Sequence, residues 1–146
     1  MRIRLLGLAA VCALALAVPA LASDTPIVAK PIAIGAMHAT TIHAKAGSML
    51  LESIDIAPGG SFGWHTHGAP VAVIVARGTL TVFDPSIGGC APFHVSKGAS
   101  FVEPANHVHL ARNDGKTPVT VYVLYLGLPR PGAANAPASA PYGCDA

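Results

Sequence analysis

The chain has 146 residues, a length that suits one domain, and its seven histidines are many for that size. Hydrophobic residues make up 52% of it and charged residues 11%, and the nine Lys and Arg are scattered against seven Asp and Glu. Without a basic patch, the chain is not expected to bind nucleic acid or a membrane surface.

The N-terminal segment, residues 1–22, has the pattern of a secretory signal peptide. Arg2 and Arg4 precede a continuous apolar run at residues 5–18, and a small-x-small cleavage signal precedes Ser23. The apolar run is too short for a permanent membrane span. We therefore expect a secreted or periplasmic protein that is soluble after cleavage. Loss of the two arginines leaves seven basic and seven acidic residues, so the mature chain would have a net charge near zero.

The sequence after an N-terminal extension, residues 23–45, predicts an all-β domain at residues 46–128. Apolar and β-branched runs alternate with Gly, Pro and Asn-Asp-Gly turn signals, and no segment here has helical periodicity over ten residues. Short strands at regular spacing are typical of a sandwich or a small barrel. Strands are expected at residues 48–56, 71–76, 79–83, 93–95, 100–102, 107–112 and 119–126.

The last segment, residues 129–146, is rich in Ala and Pro and is a poor fold former by composition. Two cysteines remain after the signal, Cys90 in a Gly/Pro loop and Cys144 near the C-terminus. Thiols pair in the oxidising compartment that an exported protein meets, whereas two free thiols would suit the cytosol. We expect a Cys90–Cys144 disulfide that ties this tail to the barrel and stabilises the fold by roughly 4 kcal/mol.

Three histidines form the most informative pattern in the chain. His65 and His67 are one residue apart, just before a β-like run, and His109 lies in another such run about forty residues later. Because strand residues i and i+2 share a face, His65 and His67 can point at one spot, and His109 can join them from a distant strand. Imidazoles suit divalent transition metals. The sequence predicts a metal site for Fe, Zn, Ni, Mn or Cu; the alternative is a pocket that has lost its metal.

These residues resemble the two sequence motifs of the cupin superfamily. The first motif has a glycine, a His-x-His pair, a glutamate after three or four intervening residues, and a second glycine. The second motif has a glycine, a proline, another glycine, a histidine and an asparagine. The resemblance covers about residues 48–126 and implies a small single-domain cupin, with a double-stranded β-helix (jelly-roll) barrel, a metal inside and a homodimer as the expected assembly. The matching residues are Gly59, His65, His67 and Gly78 for the first motif, and Gly98, Pro104, Asn106 in place of glycine, His109 and Asn113 for the second.

The motif glutamate is missing from this chain. It would fall at Val71 or Ala72, neither of which binds metal. Three residues are candidates to replace it, in decreasing order of preference. His107 shares strand parity with His109, Glu103 is the only acid inside the second motif, and Glu52 shares parity with the apolar residues of its strand.

Two functions remain open from the sequence. One is a metal-dependent enzyme, such as a non-haem oxygenase that acts on a small molecule, with three histidines holding the metal. The other is a non-catalytic module that binds a metal or a small ligand. No catalytic acid, base or nucleophile can be named from the residues, and a pocket lined by Val, Ala, Leu and Phe does not name its ligand.

Overall fold

A computed structural model describes residues 28–87, 89–130 and 134–144, so the predicted signal peptide lies outside the described residues. Residues Pro31–Ala146 form one unit, which contains every strand of the described chain. None of the described residues belongs to a helix long and apolar enough to cross a membrane. A 3-10 turn at Pro85–Ile87 lies between the fourth and fifth strands. The strands are β1 (Ser48–Ile56), β2 (Ser61–Thr66), β3 (Val71–Arg77), β4 (Thr79–Phe83), β5 (Phe93–Ser96), β6 (Ser100–Glu103), β7 (His109–Arg112), β8 (Val119–Leu128) and β9 (Ala136–Pro137).

The strands form two antiparallel sheets, in the orders β1-β8-β3-β6 and β5-β4-β7-β2-β9. Each sheet takes strands from both halves of the chain, and the apolar core lies between them. This arrangement confirms the expected jelly-roll barrel. The core alternates along the strands: Val71, Val73 and Val75 are at most 4% exposed, while Ala72 and Ile74 between them are only half-buried. Strand β3 is therefore buried on one face, not on both as its continuous apolar sequence suggests.

Two strand registers bring the chemically interesting residues together. His65 on β2 pairs with His109 on β7, and Val71 on β3 pairs with Glu103 on β6. Directly opposed residues in an antiparallel pair point to the same face of the sheet. The pairing therefore places two histidines side by side, and it puts Glu103 on the same inner face as Val71.

Strand β7 begins at His109, two residues later than the sequence predicts. The chain is still turning before it, because Asn106 has a positive φ of 64° and the His107 amide donates to the Pro104 carbonyl at 3.4 Å. Asparagine tolerates this left-handed conformation. His107 thus lies outside the strand, and the alternation that would align its side chain with that of His109 does not apply.

The C-terminal tail is more ordered than its composition predicts. Its short strand β9 pairs with β2, with Pro137 opposite His65 and Ala136 opposite Thr66. The expected disulfide between Cys90 and Cys144 is present, with the two Cα atoms 5.1 Å apart. The tail is therefore attached to the barrel at both ends of its described part.

Candidate metal site

Three histidine rings meet inside the barrel. His65 lies near the end of β2, His67 just beyond it and His109 at the start of β7, and all three are at most 5% exposed. The ring centroids are 4.3 Å apart for His65 and His109, and 4.9 Å apart for each pair that includes His67. One potential ligand atom from each residue lies within 4.8 Å of the other two. The structure thus brings together the three histidines that the sequence singles out.

Backbone carbonyls orient each of the three rings. His65 Nδ1 donates to the Gly63 carbonyl at 2.9 Å, His67 Nδ1 to the Ala134 carbonyl at 2.8 Å, and His109 Nδ1 to the His107 carbonyl at 3.1 Å. With the proton held on Nδ1, the Nε2 lone pair of a neutral imidazole is free for a ligand bond. The three bonds therefore prepare three Nε2 atoms for a common partner.

The Nε2 atom of His109 provides a direct test of whether a metal fits. It is buried and faces a Glu103 oxygen 3.2 Å away, an ionic contact that lacks the geometry of a hydrogen bond. A buried nitrogen without a partner costs free energy that a bond to a cation would recover. The unsatisfied atom, together with the imidazole and carboxylate donors around it, fits a divalent transition metal.

Glu103 places a carboxylate beside the histidine cluster, although among the described residues the ligand atoms that all lie within 4.8 Å of one another belong to the three histidines alone. Its two oxygens lie 3.1 Å from His67 Nε2 and 3.2 Å from His109 Nε2, and the residue is buried. Its backbone is opposite Val71, one of the two positions at which the family motif would have its glutamate. The acid therefore reaches the same inner face from the neighbouring strand. Sequence alone could not rank it first, because the ranking depends on the β3–β6 register.

The other two candidates for a fourth ligand lie outside the histidine cluster. The His107 side chain is half-buried, and its Nδ1 lies 3.5 Å from Ser86 Oγ. The contribution of His107 to the site is its backbone carbonyl, which accepts the hydrogen bond from His109 Nδ1. Glu52 does face inward on β1, as its parity predicts, but its neighbour there is Tyr125. Of the three, the structure places only Glu103 against the histidines.

Burial and charge set the protonation states of the cluster. Burial lowers the pKa of His65 to about 4, so this imidazole is neutral near pH 7. Burial by itself would raise the pKa of Glu103, but the imidazoles of His109 and His67 lower it to about 2. Burial opposes the charged form of His109 as well, yet the Glu103 carboxylate raises the pKa of that ring. Glu103 is therefore an ionised carboxylate surrounded by imidazoles.

A small cavity of about 30 Å³ adjoins the cluster. Such a volume holds a ligand of water or dioxygen size, since one water needs roughly 10–15 Å³ on this measure.

The residues that line the cavity are mostly apolar. Tyr125 is 1% exposed, and its ring is 5.5 Å from that of His67. Burial and the nearby Glu52 carboxylate raise the pKa of the Tyr125 phenol. Phe62, at 38% exposure, packs beside His65. The described lining contains no Lys or Arg, and its apolar walls are Ile54, Val73, Leu80, Phe101, Val121 and Val123.

Comparison with known proteins gives a family and a fold. The family model described as "Cupin domain" matches residues 53–125. None of the curated proteins matches the chain by sequence.

Several solved structures are similar in fold. The DMSP lyase DddQ from Ruegeria pomeroyi DSS-3 aligns with a TM-score of 0.53 and 19% identity over 64% of this chain and 44% of that one. Recombinant oxalate oxidase in complex with glycolate aligns at 0.52 and 26% over 61% and 45%. The polyketide cyclase RemF from Streptomyces resistomycificus aligns at 0.52 and 21% over 64% of each chain. The alignments with the lyase and the oxidase span less than half of those proteins.

Proposed function

The chain belongs to the cupin superfamily, and we propose that it is an exported cupin that holds one divalent transition metal ion and acts on, or binds, a small molecule. His65, His67 and His109 are the proposed ligands, with Glu103 as the fourth. The convergence of three imidazoles whose Nδ1 atoms are all engaged by carbonyls carries this proposal. A hydrophobic core needs no such arrangement, whereas a metal site does.

Glu103 changes the electrostatics of the proposed site. Three neutral histidines alone would leave the full charge of a divalent ion inside an apolar barrel, where charge is costly. One ionised carboxylate halves that charge. The pKa of Glu103, about 2, keeps the carboxylate available as a ligand at any physiological pH.

The protein's own groups prepare the cavity for chemistry. A bound transition metal would supply Lewis acidity or redox capacity there. The apolar walls exclude bulk water, which strengthens electrostatic interactions inside the cavity. Tyr125, with its raised phenol pKa, remains a neutral hydrogen-bond donor beside the histidines.

Two activities are compatible with this site. The first is that of a non-haem metal-dependent oxygenase, with which the room for a dioxygen-sized ligand is compatible. The second is a non-catalytic module that binds a metal or a small ligand. The structurally similar proteins are a lyase, an oxidase and a cyclase, so fold similarity does not choose between reactions.

Metal content tests the site directly. Protein purified without a metal-binding tag should contain about one transition metal ion per chain by elemental analysis, and His65→Ala/His67→Ala should contain none. His38→Ala/His43→Ala is the matched control, because it also removes two histidines but from the exposed N-terminal extension. Unchanged metal content in His65→Ala/His67→Ala would overturn the proposal.

A turnover assay separates enzyme from module. Oxygen consumption by the iron-loaded protein with a panel of thiols, diketones and phenolics should exceed that of His65→Ala/His67→Ala if the oxygenase proposal is right. Ligand binding to the loaded protein without turnover across the panel would favour the module.

Export and assembly are part of the proposal as well. The signal pattern at residues 1–22 and the disulfide, which needs an oxidising compartment, support export. N-terminal sequencing of the protein from the medium or periplasm should begin at Ser23. Light scattering should give the mass of a homodimer, and a monomer mass would reject that assembly.

A further inference from the structure

The C-terminal segment 134–144, which we call the strap, lies directly against the histidine cluster. Its strand β9 extends the second sheet beyond β2, opposite His65 and Thr66. The Ala138 amide also donates to the Trp64 carbonyl at 2.9 Å. The strap thus pairs with the strand that carries His65 and leads directly into His67.

His67 depends on the strap in a way that the other two histidines do not. The rings of His65 and His109 donate to carbonyls only two residues away, so their own strands orient them. The ring of His67 donates to the Ala134 carbonyl, 67 residues away in the sequence. His67 itself lies beyond the end of β2, and there its backbone carbonyl accepts a hydrogen bond from the Asn106 amide at 2.7 Å. The strap therefore orients the Nδ1 side of the His67 ring, while the Nε2 atom lies 3.1 Å from a Glu103 oxygen.

The strap also lines the cavity. Asn135 is one of the lining residues, as is Tyr125. The cavity thus gains a polar group that the barrel strands do not provide.

The attachment of the strap rests on few interactions. Most of its residues are exposed, and β9 contains only two residues, so little apolar burial holds it. The exception is Cys144, which is 2% exposed and is joined to Cys90 in the loop between β4 and β5. The disulfide therefore limits how far the strap can move from the site.

From these contacts we propose that the strap is a positioning element of the metal site. The Ala134 carbonyl fixes the tautomer and orientation of His67, and the Cys90–Cys144 disulfide keeps that carbonyl in place. The inference rests on the proposed metal site and adds to it a segment outside the barrel. Partners that orient metal-binding histidines typically contribute about 10–100-fold to metal affinity.

Two variants test the strap. Cys90→Ser/Cys144→Ser keeps the strap but unties it, and a Cys90→Ser chain that ends at Arg130 removes it. The Kd for Co²⁺, measured by chelator competition, should rise by about 10–100-fold without the strap and by a smaller factor when the strap is untied. The visible spectrum of the bound Co²⁺ should change as well. Gly78→Ala is the control, because it strains a distant turn and reports the effect of lost stability alone.

The outcomes are distinct. If the Kd and the cobalt spectrum of the untied variant and the shortened chain match those of the wild type, the inference is wrong. If the shortened chain does not fold, the untied variant decides alone, and an unchanged Kd there overturns the inference.

A metal-free measurement separates this inference from the proposed function. Nitrogen-15 NMR of the metal-free wild type should show a proton on His67 Nδ1 in slow exchange, and the signal should be lost or exchange faster in both variants. A wild type that binds no Co²⁺ but shows this difference would reject the metal site and retain the strap. No difference between wild type and variants would reject the strap.

Discussion

At the scale of single residues, the site depends on where its carboxylate comes from. Val71 is one of the two positions where the family's motif glutamate would fall, and Glu103 lies directly opposite it across the β3–β6 ladder. Opposed side chains in such a ladder have Cβ atoms roughly 4.5–5.5 Å apart and share a face. A carboxylate can therefore reach the histidines from either strand.

This geometry predicts that a glutamate at position 71 can restore the metal affinity that is lost when Glu103 is removed. Glu103→Val should weaken binding of a divalent transition metal by at least about tenfold, because three neutral histidines then face the ion alone. Adding Val71→Glu in the same chain should restore most of the affinity. Chelator competition measures both changes, with Glu52→Gln as a control at an inward-facing acid outside the histidine cluster. Full affinity in Glu103→Val would show that Glu103 is not a ligand.

The pKa of Glu103 predicts a pH dependence of stability. Burial would raise this pKa, yet the imidazoles of His109 and His67 lower it from 4.5 to about 2. A lowered pKa means that the folded state favours the carboxylate, so its stabilising contribution is complete above about pH 4.5 and is lost as the pH falls towards 2. The difference in unfolding free energy between metal-free wild type and Glu103→Gln should therefore be constant above about pH 4.5 and shrink between about pH 4.5 and about pH 2. Denaturant titrations measure it, and a pH-independent difference would contradict the assignment.

At the scale of elements, the sequence predicts β1, β3, β4, β5, β6 and β8 to within two residues, but it does not predict β2 or β9 and places the start of β7 two residues early. The alternating or β-branched residues of β1, β3, β4 and β8 carry the pattern that the structure shows. The start of β7 depends instead on a turn at Asn106, and β9 depends on pairing with β2. Tertiary contacts decide both features, and sequence patterns do not reveal such contacts. For this reason strand parity wrongly ranks His107 above Glu103, and composition wrongly predicts an irregular tail.

The tight turn between β3 and β4 gives a prediction for one element. Gly78 has a φ of 76°, and a Cβ there would lie 2.9 Å from Val119 Cγ2. Gly98 has a φ of 86°, and a Cβ there meets nothing within 4 Å. Both alanine variants should lose about 1–2 kcal/mol from the positive φ, and Gly78→Ala should lose about 1 kcal/mol or more beyond that from the clash. Urea titrations compare the two, and equal losses would contradict the steric argument.

At the scale of the whole molecule, the two histidine-bearing motifs and the Cys90–Cys144 disulfide are the features that the sequence alone predicts. The histidines, motif glycines and motif proline predict the barrel and the position of its site, because their spacing follows from the strand order. The disulfide follows from composition and expected compartment, and it is present. The fourth donor and the role of the tail follow only from the assembled fold, in which His67 and Ala134 become neighbours.

The disulfide gives a prediction for the whole fold. Removing it in Cys90→Ser/Cys144→Ser should lower the unfolding free energy by about 2–5 kcal/mol, since the link closes a long loop in the unfolded chain. Denaturant titration measures the loss. A thiol assay on the denatured, unreduced mature protein should find no free thiol, and two free thiols would show that the pair does not form in the natural compartment.

The most direct test of the central claim is to locate the ion in a crystal of the natively loaded protein. Anomalous diffraction at the absorption edge of the metal found by elemental analysis should give one strong peak per chain, with the Nε2 atoms of His65, His67 and His109 and one Glu103 oxygen at about 2.0–2.2 Å from it. A peak elsewhere, or none between these four residues, would contradict the claim that this barrel is built around a metal.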